Sequence, residues 1–162
     1  MNPPTPDTIT SDLVDFKFPV IGFTPDREIW GFPDRRSLTT CGAQTLNENI
    51  PAGMELIGAD GARFQVTAIH DKGRAGSPLS RLVKGLLSGR QYRIEYSLVP
   101  LAQASLDDVK KLARQSLDAF PDDYCLGEDP ETVLPPLLAS LQAAGSAEEI
   151  FTLLGLDSFE SY

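Results

Sequence analysis

The spacing of apolar residues changes once along this chain, near residue 102, and that change limits the folds open to it. Up to that point, short runs alternate apolar and polar residues, as strands with one buried face do. Beyond it, apolar residues recur every three or four positions, as on the buried side of an amphipathic helix. A strand-rich part followed by a helix-rich part predicts an α+β fold. We expect a single domain over residues 13–162, preceded by a disordered arm over residues 1–12.

Three segments of the first part carry the strongest strand signals. The run "LVDFKFPVIGF", residues 13–23, alternates, although Pro19 predicts that this strand lies at a sheet edge or is broken there. Two apolar-rich runs flank Asp60-Gly61, a dipeptide favoured in tight hairpin turns, and residues 90–101 alternate again. Residues 37–53 fit either a strand or a short helix. These patterns predict an N-terminal antiparallel sheet of about four strands.

Capping residues mark the expected helices. Ser105 and Asp108 have the spacing of a capping box, in which each side chain bonds to the other residue's backbone. The pair Pro135-Pro136 is expected to kink or restart the helix that contains it, because proline lacks the donor that a helix interior needs. One crossover helix between strands and three C-terminal helices are predicted, over residues 77–89, 105–120, 129–145 and 146–155.

Charge is divided unevenly along the chain. Residues 1–114 contain all 14 lysines and arginines and balance them with 13 acids, whereas residues 115–162 contain 10 acids and no Lys, Arg or His. The formal net charge is −9. Nucleic acids and anionic membranes are both held by basic surface, so neither is expected to be a partner.

The acids are densest around the junction of the first and second of the three C-terminal helices, in the stretch that we call the acidic segment, residues 118–131. Its candidate partner-binding residues are Asp118, Asp122, Asp123, Tyr124, Glu128, Asp129 and Glu131. These acids could simply complement helix N-termini and solvate a loop. They could instead form a surface that meets a basic protein, with aromatic side chains as anchors. The spacing of a calcium loop is absent, and we expect no metal.

A second candidate binding surface contains Trp30, Arg35 and Arg36, where an aromatic residue lies among arginines near predicted turns. Ordinary core packing of the tryptophan, with solvated arginines beside it, is the alternative. Neither reading requires chemistry at these residues.

Catalysis would have to use His70, the only histidine, with Asp71 or Asp60 as its partner. Available nucleophiles would be Cys41, Ser77 and Ser80. However, neighbouring residues on a strand point to opposite faces, and no serine lies in a G-x-S-x-G turn. The glycines of residues 70–77 lack the spacing of a phosphate-binding loop, although an anion-binding loop stays an alternative there. We therefore predict a protein that is not an enzyme and binds no cofactor.

The remaining features concern location. The first residues, "MNPPTPDTITSD", carry neither a basic region nor an apolar core of a secretory signal. No apolar run approaches the ~18 residues needed to cross a bilayer. Cys41 and Cys125 lack metal-ligand spacing and are expected to be reduced thiols. A cytoplasmic protein is expected.

Three stretches prompt a family comparison: "FPVIGFTPDREIWGFPDRRSLTTCG", "GMELIGADGARFQVTAI" and "SAEEIFTLLGL". With the acidic charge and the missing catalytic motifs, they resemble the immunity proteins of bacterial polymorphic-toxin and type VI secretion systems. The resemblance implies a small protein that binds one cognate toxin, often over its active site, and blocks it. Because these families differ in fold, no functional residue is carried over by position. An effector-binding adaptor or chaperone-like protein is the alternative, followed by a ligand-binding domain or enzyme that uses residues 70–77.

Overall fold

The structure, a computed structural model, describes residues 7–74 and 91–157. Within these residues, seven strands form one antiparallel sheet. The strands are β1 (Ile9–Thr10), β2 (Val20–Phe23), β3 (Ile29–Phe32), β4 (Thr40–Gly42), β5 (Glu55–Ile57), β6 (Arg63–Arg74) and β7 (Gln91–Leu101). The helices are α1 (Arg35–Leu38), α2 (Ala43–Asn47), α3 (Leu106–Ala119), α4 (Pro130–Ala143) and α5 (Ala147–Leu153), with 3-10 turns at Ser11–Leu13 and Pro121–Tyr124. The predicted α+β class is confirmed.

The sheet has more strands than the roughly four predicted from alternation. Its order is β1-β7-β6-β5-β2-β3, and β4 pairs with β7 on the same edge as β1. The run of residues 13–23 is broken at Pro19, one of the two outcomes expected there, since only its last four residues form a strand, β2. The other outcome, a position at the sheet edge, does not occur, because β2 lies between β5 and β3. Because β2 is buried on both faces, it has no polar side to alternate with.

The hairpin of β5 and β6 and the long strand β7 follow the predicted pattern. β5 and β6 pair across the Asp60-Gly61 turn, where the amide of Gly58 donates to the carbonyl of Ala62 at 2.9 Å. Gly61 has a φ of 85°, a backbone conformation that residues with a side chain rarely adopt. β6 and β7 then pair along most of their length, with register shifts between Val66 and Ala68 and between Asp71 and Arg74.

Two hydrophobic clusters lie on opposite faces of the sheet. Adjacent residues of one strand divide between them: Val20 belongs to one cluster and Ile21 to the other. The cluster of Ile21, the helix-side cluster, is covered by α3, α4 and α5. The cluster of Val20, the inner cluster, also contains Phe16, Leu38 and Tyr96, from the N-terminal segment, α1 and β7. Both faces of the sheet are therefore covered.

The predicted C-terminal helices are confirmed, with their caps. The Ser105 side chain accepts a hydrogen bond from the Asp108 amide at 3.1 Å, and the Asp108 carboxylate accepts from the Ser105 amide at 2.9 Å. Of the two outcomes expected at Pro135 and Pro136, a restart does not occur, because α4 continues through both as one helix. Both prolines are exposed, so water can bond to the carbonyls that lose their helical partners.

The ambiguous stretch, residues 37–53, contains both kinds of element: part of α1, then β4 and α2. The predicted crossover helix lies outside the described residues. Ile9 and Thr10, within the segment expected to be a disordered arm, pair with β7 as β1. In the part of the chain that the structure describes, no helix is long and apolar enough to span a bilayer.

Candidate functional site

The acidic segment joins α3 to α4 and presents its charges to solvent. It begins in the last turn of α3, passes through the 3-10 turn Pro121–Tyr124, and ends in the first turn of α4. All six predicted carboxylates are exposed, and they are Asp118, Asp122, Asp123, Glu128, Asp129 and Glu131. The ion pairs among the described residues involve other acids, namely Asp15, Glu55 and Glu95. No described basic side chain neutralises this segment.

Leu126 lies in the second half of the acidic segment and is 95 % exposed. It and Gly127 both have positive φ, 50° and 83°, so the chain reverses direction here. On the inner side, the Cys125 thiol donates to the carbonyl of Pro121 at 2.9 Å. Leu126 is not among the binding residues predicted from the sequence, where its only signal is an apolar residue immediately before a glycine in a run of acids.

A pocket of about 610 Å³ lies beside the acidic segment. Residues of β3, one edge strand, line it together with residues of β4 and β7 from the other end of the sheet. The sheet therefore curls until its two edges face each other across the pocket. Its lining includes two carboxylates, a thiol and five aromatic side chains: Glu28, Asp123, Cys41, Trp30, Phe32, Tyr96, Phe120 and Tyr124.

The entrance of the pocket, which we call its mouth, carries two exposed carboxylates, Glu28 and Asp123. The indole Nε1 of Trp30 donates to Glu28 Oε2 at 3.3 Å, which holds this carboxylate against the aromatic ring. Tyr124, whose hydroxyl lies 3.1 Å from Ser116 Oγ, is near both acids. Burial raises the pKa of Tyr124, the Ser116 hydrogen bond opposes this, and Asp123 and Glu28 add to the rise.

The lining also contains deeply buried side chains that are uncharged at neutral pH. Three of them, which we call the floor of the pocket, are each at most 5 % exposed: Phe32, Cys41 and Tyr96. Burial raises the pKa of the Cys41 thiol to about 11, and the Asp71 carboxylate adds to this effect. Burial also raises the pKa of the Tyr96 phenol. A thiol held in its protonated form is a poor nucleophile.

We expect the two free cysteines to resist alkylation in the native protein. With a pKa of about 11, ~0.1 % of Cys41 is thiolate at pH 8, against roughly a quarter for an ordinary thiol. The pKa of Cys125 is also raised, by burial and then by Asp122, Asp129 and Glu128. Iodoacetamide labelling followed by mass spectrometry should show slow modification that accelerates as the pH rises and becomes complete in urea. Rapid native labelling at pH 8 would contradict this.

Among the described residues, neither Asp71 nor Asp60 is hydrogen-bonded to His70. The exposed His70 side chain lies 2.6 Å from Ser97 Oγ through Nε2, and it pairs across the sheet with Glu95. The carboxylates of Asp71 and Asp60 instead accept backbone hydrogen bonds in their own turns, from Gly73 and Ala62. Ser77 and Ser80 lie outside the described residues. Among the described residues, no group of three or more His, Cys, Asp and Glu side chains could hold a metal.

The three residues of the second predicted surface have different surroundings. Trp30 is half-buried and packs against the inner cluster while lining the pocket. Arg35 braces the N-terminal segment: its guanidinium donates to the carbonyl of Val14 at 2.6 Å and lies 5.8 Å from the centre of the Phe16 ring. Arg36 is exposed.

Comparison with protein families, with curated proteins and with solved structures finds no match to this chain. The functional inference therefore depends on the acidic segment and the pocket beside it.

Proposed function

We propose that this protein is a non-enzymatic, cytoplasmic immunity protein that binds and neutralises a basic toxin or effector domain through the acidic segment. The observation that carries the proposal is Leu126, a large apolar side chain that is 95 % exposed among carboxylates with no described basic partner. An exposed apolar residue among like charges suits an interface in which a partner covers the apolar side chain and the charges together.

Helix stabilisation does not explain this arrangement. Asp129 and Glu131 do complement the N-terminus of α4, and the Asp129 carboxylate accepts from the Glu131 amide at 3.2 Å. Asp118 lies in the last turn of α3, where the helix dipole disfavours negative charge. Asp122 and Asp123 lie in the first turn of the short 3-10 helix Pro121–Tyr124, where acids are favourable, but they also repel Asp118 and each other. Helix ends therefore do not account for the whole cluster, and we assign it to a partner.

The acidic segment would contribute in two ways. Its carboxylates would attract a basic surface over the distance of a Debye length, about 8 Å at physiological salt, and so raise the association rate. Leu126 would then enter an apolar depression on the partner and slow dissociation. Together they would cover the toxin surface and block its substrate.

Replacing Leu126 with serine should weaken binding at least about tenfold, because fully burying a leucine side chain contributes about 1.5–3 kcal/mol and 1.4 kcal/mol corresponds to a tenfold change in affinity. The partner to test is the polypeptide encoded beside this gene, and calorimetry with the purified pair gives the affinity. Leu13→Ser is the matched control, since Leu13 is the other large exposed apolar residue in the part of the chain that the structure describes, at 81 %. Equal affinities for both variants would contradict the assignment of the interface, and no complex with wild type would contradict the function.

A further inference from the structure

The pocket beside the acidic segment has the dimensions of a ligand site. Its volume of about 610 Å³ falls inside the range of about 300–1,000 Å³ that is common for ligand sites. Asp123 and Tyr124 belong both to the acidic segment and to the pocket wall. A partner seated on the acidic segment would therefore also meet the pocket.

The hydroxyl of Tyr96 indicates that something polar binds at the floor. Tyr96 is 2 % exposed and lines the pocket, yet no described residue forms a hydrogen bond with its hydroxyl. Its backbone amide, in contrast, donates to Ser11 Oγ at 2.9 Å. Buried hydroxyl groups in folded proteins nearly always have a partner, so an unpaired one on a pocket floor points to a ligand atom.

Charge in the pocket is confined to its mouth. Glu28 and Asp123 come from separate parts of the chain, the β2–β3 hairpin and the 3-10 turn, and no basic residue lines the pocket. Below them, the floor residues are neutral. The aromatic rings of Trp30, Phe120 and Tyr124, all half-buried, also line the pocket. A ligand matched to this pattern carries a positive, planar group at its outer end and an uncharged group with a polar tip at its inner end.

An arginine side chain fits the outer position best. A guanidinium is planar, stacks on aromatic rings and can donate to two carboxylates at once, whereas an ammonium is a compact and strongly hydrated charge. One arginine leaves most of the pocket unfilled, so a second side chain of the same segment has to enter.

We propose that the pocket receives two adjacent residues of the basic partner: an arginine held between Glu28 and Asp123, and a large uncharged side chain with a polar tip, such as tyrosine, that reaches the Tyr96 hydroxyl. This inference rests on the proposed function, because it assigns the pocket to the same partner.

Trp30 makes the pocket directly observable, because it is the only tryptophan in the chain and lines the wall. The probe is the dipeptide acetyl-Tyr-Arg-amide, titrated against tryptophan fluorescence and checked by calorimetry. Acetyl-Tyr-citrulline-amide has the same shape without the charge, and acetyl-Gly-Arg-amide lacks the large side chain. We expect saturable binding of the first probe, about tenfold tighter than either control, since hydrogen bonds to charged groups and apolar burial each contribute on this scale.

Two variants locate the probe in the pocket. Asp123→Asn should remove most of the preference for arginine over citrulline, whereas Asp129→Asn, an acid of the same segment that does not line the pocket, should leave it unchanged. Tyr96→Phe should weaken the Tyr-Arg probe several-fold while the urea midpoint stays the same or rises, because the hydroxyl has no described partner to lose. A hydroxyl with a purely structural role would lower the midpoint instead.

The inference is overturned if millimolar Tyr-Arg probe causes no saturable change, if citrulline binds equally well, or if Asp123→Asn and Asp129→Asn behave alike. These results are distinguishable from failure of the proposed function. If the probe does not bind but the partner complex still depends on Leu126, only the assignment of the pocket is wrong. If the probe binds but no partner complex forms, only the proposed immunity function is wrong.

Discussion

Replacing Gly31 with alanine should lower the free energy of unfolding by about 3 kcal/mol, the upper part of the usual range for an overpacked site. Gly31 lies in β3, and a Cβ atom there would stand 2.5 Å from both the Cβ and the carbonyl oxygen of Leu156, and 2.9 Å from the Phe151 ring. Leu156 is fully buried, and two of these atoms cannot rotate away. The C-terminal turn would have to leave the sheet to make room, which would also disturb Trp30 and the pocket.

Gly22→Ala is the matched control, because Gly22 lies in the neighbouring strand β2, directly opposite Trp30. Its added methyl would meet mainly Met54 Sδ, at 2.6 Å, part of a long side chain that can adopt another rotamer. We expect a loss of about 1 kcal/mol for this variant. Urea denaturation measures both. A Gly31→Ala protein as stable as Gly22→Ala would mean that the C-terminal turn does not pack against β3 as described.

Reversing Asp122 and Asp123 to lysine should slow association with the basic partner roughly ten- to a hundredfold at low salt, since electrostatic steering contributes on that scale. The salt dependence of association should shrink at the same time, because both depend on the same charges. Both side chains are exposed, so the fold should be unaffected. Stopped-flow measurements at two ionic strengths test the change.

The control for this reversal is Glu148→Lys with Asp157→Lys, which alters the net charge equally at two exposed acids outside the acidic segment. We expect this pair to change the rate only slightly. Unchanged low-salt association in the Asp122 and Asp123 variant would exclude the acidic segment from the interface. Equal losses in both pairs would mean that net charge acts without a defined surface.

Much of the C-terminal part could be predicted because its signals are local. Ser105 and Asp108 lie within one helical turn of each other, and the caps at Asp129 and Ser146 are equally short-range. The proline pair does not end the helix, because the cost of a lost hydrogen bond depends on exposure, which composition does not reveal. The exposure of the acids also followed from the sequence, since a run of carboxylates without bases cannot be buried.

The pocket could not be predicted because it depends on strand pairing between distant residues. Cys41 pairs opposite Tyr92 in β4 and β7, and the curl of the sheet then brings β3 towards them. Strands of two or three residues, such as β1 and β4, are too short to show alternation. Leu126 was missed for a related reason: one leucine among acids reads like a core residue until its neighbours in space are known.

The most direct test of the proposed function is survival of cells that express the polypeptide encoded beside this gene. We expect that polypeptide to kill when expressed alone. Co-expression of the wild-type protein or of the Glu148 and Asp157 variant should restore growth, and the Asp122 and Asp123 variant should not. Absence of toxicity, or killing that the wild-type protein does not relieve, would contradict the immunity function. Equal rescue by every variant would contradict the role of the acidic segment.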